Sequence, residues 1–582
     1  MFFRIFRYLS PKEWRMTALT FLLIAAQVGL ELKMPEYMAA ITALVQTPGG
    51  EMGEIWRSGG MMLLCAFGTM LCTMAAGYLS AKIAAGFSMR IRDAVFCSIQ
   101  SFSFEELDRF SVPSLITRST NDVTQIQSLL AMGLQMAVKS PMMAIWAIVK
   151  ISAKQWQWTL SAGVCVAIMV GLDIVMFLLV EPKFRIMQQL TDNLNRVLRE
   201  HLTGLRVVRA YNAEAYQAAK FEKANDDLTG TSLYTGRVMA LMNPGMMLVM
   251  NAMELAIYWI GAYLIRAALP ELRVGLFADM VVFSAYALQI VMSFDMLVMI
   301  FIFAPRAIVS ARRILEVAET SPRIQDGPGE TPGQRGTLEF RHVSFRYPGA
   351  GNDVLTDVSF SVKKGQTVAV IGSTGAGKTS LVNLIPRFYD ATGGQVLVDG
   401  ADVRSYRLKE LRRRIGFVPQ KALLFSGTVR SNVASGDAGT EEEVREALRI
   451  AQAAEFVDAL EKGPDASVSQ SGANFSGGQK QRLSIARALY RKPEILVFDD
   501  SFSALDYRTD RLLRSELKRA TAGTTCLIVA QRIGTILNAD RIVVLDRGRI
   551  DAVGTHRELL ESSEVYRQIA ESQLSEEELR HV

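Results

Sequence analysis

The sequence predicts an all-α membrane domain of six helices with long cytoplasmic extensions, followed by an α/β phosphate-loop domain. Three observations carry that expectation. Six apolar runs, near 17–45, 58–84, 128–149, 157–180, 237–265 and 276–304, are long enough to cross a bilayer, which takes about 20 helical residues. After Arg306 the composition turns from apolar to mixed, through a stretch at 320–336 rich in Pro, Gly and charge, as a linker should be. Beyond it, a glycine-rich loop stands between an apolar strand and a helix, the setting in which such loops hold phosphate.

The 582 residues are half hydrophobic, too apolar for a purely soluble chain and long enough for two or three domains. The 64 basic residues exceed the 58 acidic ones by six. That modest excess suits basic cytoplasmic flanks better than nucleic-acid binding, so no nucleic-acid partner is expected. Cys65, Cys72, Cys97, Cys165 and Cys526 show no metal-ligand spacing, which reads as ordinary packing in a reduced compartment.

At the N-terminus, Arg4, Arg7, Lys12 and Arg15 lie among aromatic residues, the pattern of an interfacial amphipathic helix. The apolar run from Met16 lacks a small-residue cleavage site and reads as a retained span. Short connections at 46–57, 150–156 and 266–275 alternate with long, charge-rich ones at 85–127 and 181–236, which carry Arg90, Arg92, Arg118, Lys183 and Arg196. Basic flanks mark the cytoplasm, so both termini are expected inside a bacterial-type plasma (inner) membrane. The long connections keep a helical pattern, giving two elongated internal hairpins. The expected domains are 1–319 in the membrane, a linker at 320–336, and 337–582, where runs such as Thr367–Gly372 and Ile495–Phe498 alternate with helices and imply a mainly parallel sheet. The chain shows no internal duplication.

Chemistry concentrates in the second domain. Gly372, Ser373, Thr374, Gly375, Ala376, Gly377, Lys378 and Thr379, continued by Ser380, fit G-x-x-x-x-G-K-[ST]. Glycines let backbone N–H groups wrap phosphates, the Lys378 ammonium reaches the β- and γ-phosphates, and the Thr379 hydroxyl ligates Mg²⁺. The strand Ile495–Phe498 delivers Asp499, placed to hold the metal's water shell. ATP and Mg²⁺ are therefore the expected cofactors. Between the two motifs, Phe475 precedes Ser476, Gly477, Gly478 and Gln479, small residues at a helix start whose amides and dipole suit a γ-phosphate.

In this order the motifs resemble those of the ABC ATPases, and the membrane half resembles the six-helix exporters of the multidrug-resistance group, over almost the whole chain. The resemblance implies an ABC nucleotide-binding domain in which Tyr347 stacks on adenine, Gln420 senses Mg²⁺ and the membrane domain, and Ser503–Asp506 crosses a dimer interface. It implies ATP sandwiched between one chain's phosphate loop and another's Ser476–Gln479 motif, so that one copy per chain forces dimerisation. The stretches Ile116–Asp122 and Arg209–Glu214 look like the family's coupling regions, at the tips of the internal hairpins.

Three positions depart from the family pattern. Asp500 stands where hydrolytic members carry Glu as general base; losing one methylene withdraws the carboxylate by about 1.5 Å, whereas general-base work needs a reach of about 2.6–3.2 Å. Gln531 replaces the switch histidine and can hydrogen-bond phosphate but cannot become cationic. Gln470 replaces an X-loop Glu. Hydrolysis on this chain's own phosphate loop is expected to be slow or absent, while Lys378, Asp499 and Ser476–Gln479 are intact. This is the pattern of the degenerate-site half of a heterodimeric exporter, with a second, non-identical half-transporter, the lipid bilayer and a hydrophobic drug or lipid as partners. A slow homodimer, a regulatory ATP-binding membrane subunit and an importer of the same fold stay open. Soluble ABC ATPases are excluded by the six spans. Glu31, Lys33, Lys139, Asp173, Glu254 and Asp295 lie within spans and read as interhelical ion pairs or as pathway lining, with Glu254 and Asp295 the cavity candidates. No feature identifies the cargo.

Overall fold

The computed structural model describes residues 2–46, 51–152, 154–329, 333, 335–436 and 440–574. Parts of two expected short connections (47–50 and Ala153) and of the expected linker (330–332 and 334) lie outside those residues. The chain forms two compact units, Met1–Ser98 with Pro113–Glu319, and Ile99–Val112 with Thr320–Val582.

The helices up to Ala318 are α1 (Pro11–Gln46), α2 (Met52–Ser101), α3 (Phe104–Phe110), α4 (Val112–Ser119), α5 (Asn121–Ser152), α6 (Trp156–Thr203), α7 (Leu205–Ala210), α8 (Glu214–Ala267) and α9 (Pro270–Ala318). Among the described residues, six helices are long and apolar enough to cross a membrane. The longest, α8, has 54 residues; at 1.5 Å per residue it measures about 80 Å, far beyond a hydrocarbon core of about 30 Å. Proline stands inside α1, α5, α6, α8 and α9, as membrane helices tolerate when neighbouring segments satisfy the freed carbonyls.

Within the first unit α5 packs on α9, α6 on α8, and α1 on both α5 and α9. Trp158, buried at the centre of this packing, donates its indole N–H to the Ile257 carbonyl at 3.1 Å. Glu31 on α1 accepts from Lys139 on α5 and from Gln27, both at 2.9 Å, so those two span charges are an interhelical ion pair. Glu254 accepts from Tyr258 one turn along the same helix at 3.1 Å. The N-terminal residues Phe2–Tyr8 form a short 3-10 helix in which Arg4 and Arg7 reach Glu319 at 3.2 and 3.0 Å.

One expectation is corrected here. The first internal hairpin turns at α3, not at Ile116–Asp122, most of which lies within α4 and the start of α5. Asp122 is buried, accepting from Ser310 at 2.8 Å and pairing with Arg313 at 3.3 Å on α9, which commits it to packing inside the membrane unit. The turn itself is organised by Glu106, whose carboxylate takes the Ser103 backbone N–H at 2.8 Å, the return half of an S-x-x-E cap. The second hairpin turns at α7 and the residues after it, where Arg209 pairs with Glu214 at 3.0 Å.

In the second unit a six-stranded sheet runs in the order Arg549–Gly554, Arg541–Asp546, Thr367–Gly372, Thr525–Val529, Ile495–Asp499, Ile415–Val418. The first pair is antiparallel and the rest are parallel. A four-stranded antiparallel sheet holds Leu355–Val362, Leu338–Phe345, Gly393–Val398 and Ala401–Asp402. The parallel strands are mostly apolar, as strands covered on both faces are; Ile495–Asp499 is buried at every position. The segment after Thr320 is fastened to this unit: Gly327 and Gly329 donate to Tyr406 and Ser405 at 2.8 and 2.9 Å.

Candidate functional site

Four neighbouring parallel strands deliver their carboxyl ends to one edge of the sheet. Gly372 ends one, Asp499 ends another with Asp500 next, Gln531 follows Val529 by two residues, and Gln420 follows Val418 by two. Open parallel sheets bind ligands at that edge, and the order of strands in the fold is what gathers residues spread over 160 positions of sequence.

The phosphate loop requires its glycines. Gly375 and Gly377 have φ of 84° and 97°, the left-handed region that a side chain disfavours. A Cβ on Gly377 would stand 2.8 Å from the Leu355 side chain, and one on Gly372 2.0 Å from the Leu545 carbonyl oxygen. Ser373, Thr374 and Gly375 form the exposed tip, while Ala376, Lys378 and Ser380 are buried. Lys378 turns its ammonium onto the loop's own Gly372 and Ser373 carbonyls at 2.8 and 2.7 Å. Burial pushes its pKa down, against the pull of the facing Asp500 and Asp499 carboxylates. A buried cation whose hydrogen bonds go only to loop carbonyls fits a polyphosphate, which would offer it full charges instead.

Beside it, the Thr379 hydroxyl donates to Asp499 at 3.1 Å. Burial raises the Asp499 pKa above the usual carboxylate range, opposed by that hydrogen bond and reinforced by Asp500. A hydroxyl and a carboxylate side by side are hard oxygen donors that fit Mg²⁺. Among the described residues no group of three His, Cys, Asp or Glu side chains is placed to hold a metal ion.

Asp500 is 8% exposed and has φ of 48°. One of its carboxylate oxygens accepts from the Gln531 amide at 2.9 Å and from the Gln420 amide at 3.3 Å. Its backbone carbonyl accepts from Ser503 at 2.9 Å. Burial raises its pKa, with the Gln420 hydrogen bond and Lys378 acting the other way. Gln531 is itself held by Gln573, whose amide donates to the Gln531 carbonyl at 2.8 Å and whose oxygen accepts from Ile533 at 2.9 Å. Gln573 lies 42 residues downstream in no motif, so nothing in the sequence marks it.

Ser476 caps the helix Gly477–Tyr490 with Gln479 in a reciprocal box: Ser476 N–H donates to the Gln479 side chain at 2.9 Å, and Gln479 N–H to the Ser476 hydroxyl at 3.3 Å. Ser476 and Gly477 are exposed and Gly478 half-buried. Phe475 is buried, its ring 6.2 Å from Phe456. This helix packs in an apolar cluster with Val444, Leu448 and Phe498, whereas Ala376 of the phosphate loop and Leu381 of the helix after it belong to another. Among the described residues, Ser476–Gln479 share no hydrogen bond with the phosphate loop. Gln470 is exposed, next to Ser471 with φ of 56°. Tyr347 lies on the other flank, its hydroxyl 2.9 Å from Ser380 Oγ and its ring edge-on to Phe345 at 4.8 Å.

Comparison with known proteins matches residues 355–503 to the ABC transporter family model and residues 18–294 to that of the ABC transporter transmembrane region. The chain is 41% identical over 549 residues to an uncharacterised ABC transporter ATP-binding protein of Mycobacterium tuberculosis, covering 92% of this chain and 93% of that one. It is 34% identical over 512 residues to an ATP-dependent lipid A-core flippase of Pseudomonas fluorescens, covering 87% and 84%. The fold matches that of a bacterial Atm1-family ABC exporter with ATP bound at a TM-score of 0.79 and 24% identity, over 97% of this chain and all of that one.

Proposed function

The chain belongs to the ABC transporter family, and from that premise we propose that it is the degenerate-site half of a heterodimeric exporter. It is an ATP-hydrolysing, multi-pass membrane exporter whose nucleotide-binding domain is cytoplasmic. In the proposed division, domains 1–319 and 337–582 flank a linker at 320–336, and the membrane is a bacterial plasma membrane.

The phosphate loop from Gly372 to Ser380 wraps the phosphates, Tyr347 stacks on adenine, and Thr379, Asp499 and Gln420 hold Mg²⁺. Held by those residues, Mg²⁺ would supply positive charge to the nucleotide's phosphates. Ser476, Gly477, Gly478 and Gln479 complete a hydrolytic site built on the phosphate loop of a non-identical second chain. Similarity to lipid A-core flippases supports a lipid or other hydrophobic compound as the cargo, moved out of the cytoplasm or inner leaflet.

The observation that carries the reading is the clamp on Asp500. The carboxylate at the general-base position is one methylene short, and two glutamine amides share one of its oxygens. The two amides occupy one of its two oxygens, and the shortened arm falls short of the hydrogen-bond reach that general-base work needs. Gln531, neutral at every pH, holds Asp500 without supplying charge to a developing phosphate.

The test uses the assembled pair of half-transporters. Ser476→Arg in this chain should remove most ATPase activity, by blocking the site its signature completes. In that background, Asp500→Glu with Gln531→His should raise the residual rate on the order of 10-fold or more, since a positioned general base contributes about 10²–10⁴-fold. Full activity in Ser476→Arg, or a flat rate in the triple variant, would contradict the division of labour.

A further inference from the structure

Tyr389 is 9% exposed and touches two parts of the second unit with different duties. Its ring stands edge-on to Tyr347, with centroids 5.3 Å apart and planes at 85°, and both rings lie against Phe345. Its hydroxyl donates to Asp108 of helix α3 at 2.9 Å. Phe104, also on α3, lies 4.8 Å from Phe388 and 6.0 Å from Tyr389.

We propose that Tyr389 is a positioning residue that passes the presence of the adenine base, as distinct from the phosphates, from Tyr347 to helix α3. The inference rests on the assignment of Tyr347 to adenine made above. Edge-to-face pairs hold because a positive ring edge meets a negative face. A base stacking on Tyr347 fixes the plane of that ring, and therefore the face or edge it offers to Tyr389. Tyr347 and Tyr389 wall a cleft of about 500 Å³ together with Glu105 and Arg323. Tyr389 cannot turn far and keep Asp108, so the orientation of one ring is read at α3 through a single side chain.

Tyr347 also meets the phosphate loop, its hydroxyl 2.9 Å from Ser380 Oγ, so the base and the phosphates must be told apart by experiment. Gln420 hydrogen-bonds Asp500 at the opposite flank of the site, next to the metal and phosphate groups, and no contact in the Tyr389 chain passes through it. Helix α3 follows helix α2 after only Phe102 and Ser103. Coupling of this kind is reciprocal.

The test compares Mg²⁺–ATP with Mg²⁺–tripolyphosphate, which has the phosphates but no base, by amide hydrogen exchange on the full chain in lipid nanodiscs. ATP should slow exchange of Phe104–Phe110 by about 5-fold or more, the lower end of ordinary coupling factors, and tripolyphosphate should not. Tyr389→Phe, which keeps the ring, should abolish the ATP-specific slowing at α3 while Thr367–Gly372 still slows with both ligands. Asp108→Ala should reproduce the loss without adding to it. Equal slowing of α3 by tripolyphosphate, or ATP-specific slowing that survives in Tyr389→Phe, would overturn the relay. Tyr347→Ala tests the premise separately: an unchanged ATP-over-tripolyphosphate affinity ratio would overturn the adenine assignment itself, whatever Tyr389→Phe shows.

Discussion

Asp499 ends a buried strand and Asp500 follows it, both within the field of Lys378, and burial raises both pKa values above the usual range. The sign of the consequence follows directly. A carboxylate with a raised folded-state pKa binds its proton more tightly in the native protein than in the unfolded chain, so stability falls as pH rises through the interval between the two values. At neutral pH the ionised Asp499 therefore destabilises the nucleotide-free protein, a cost that the Mg²⁺ proposed to bind there would offset. Asp499→Asn, whose amide oxygen can still accept from Thr379, should raise the Tm measured in EDTA at pH 7. The gain should shrink as pH falls toward the raised pKa and the wild-type carboxyl becomes neutral. An equal or lower Tm at pH 7 would contradict the burial cost. In the sequence the phosphate loop and Asp499 stand out by their order and spacing, whereas Asp500 and Gln531 are noticed only against the pattern of the family that the chain resembles. The Gln531–Asp500 hydrogen bond, Gln573 and Tyr389 were not legible there, because each is a contact between strand ends or loops that only the folded sheet brings together.

Helix α3 shows how an element can be present in the sequence and still be overlooked. Ser103 and Glu106 have the S-x-x-E spacing of a helix start, a local signal, while family likeness drew the coupling assignment to Ile116–Asp122, where α4 and α5 run on. Glu106 is buried and accepts from Ser103 N–H at 2.8 Å and from Arg323 N–H at 3.1 Å. Burial works against its charge, yet the hydrogen bonds from Ser103 and Arg323 outweigh it and hold the pKa below the ordinary value. A lowered carboxylate pKa contributes stability above its unfolded pKa, lost as pH falls through the folded one. Glu106→Ala should cost about 1–3 kcal/mol at neutral pH, the usual penalty for stranding buried donors. It should speed amide exchange across Phe104–Phe110, with the difference from wild type closing below the ordinary carboxylate range. Undiminished protection at neutral pH would show that the cap is dispensable. The long membrane helices, by contrast, were plain from sequence, because runs of about 20 apolar residues leave few alternatives; their continuation far past the bilayer followed from the scarcity of breakers in the long connections.

For the whole molecule, one chain carries one membrane unit and one nucleotide unit. The two halves of an ATP sandwich, the phosphate loop and the Ser476–Gln479 helix start, sit in different apolar clusters with no hydrogen bond between them among the described residues. In the proposed pair a second chain supplies what each lacks, and the clamp on Asp500 would make the two sites unequal. The most direct measurement is Mg²⁺-dependent ATPase activity of this chain purified alone in lipid nanodiscs, then coexpressed with a candidate second half-transporter. Negligible turnover alone and robust turnover with the second chain, lost on Ser476→Arg, is the expected result. Robust turnover by this chain alone, abolished by Lys378→Ala, would mean that Asp500 and Gln531 suffice for hydrolysis and that the exporter is a homodimer.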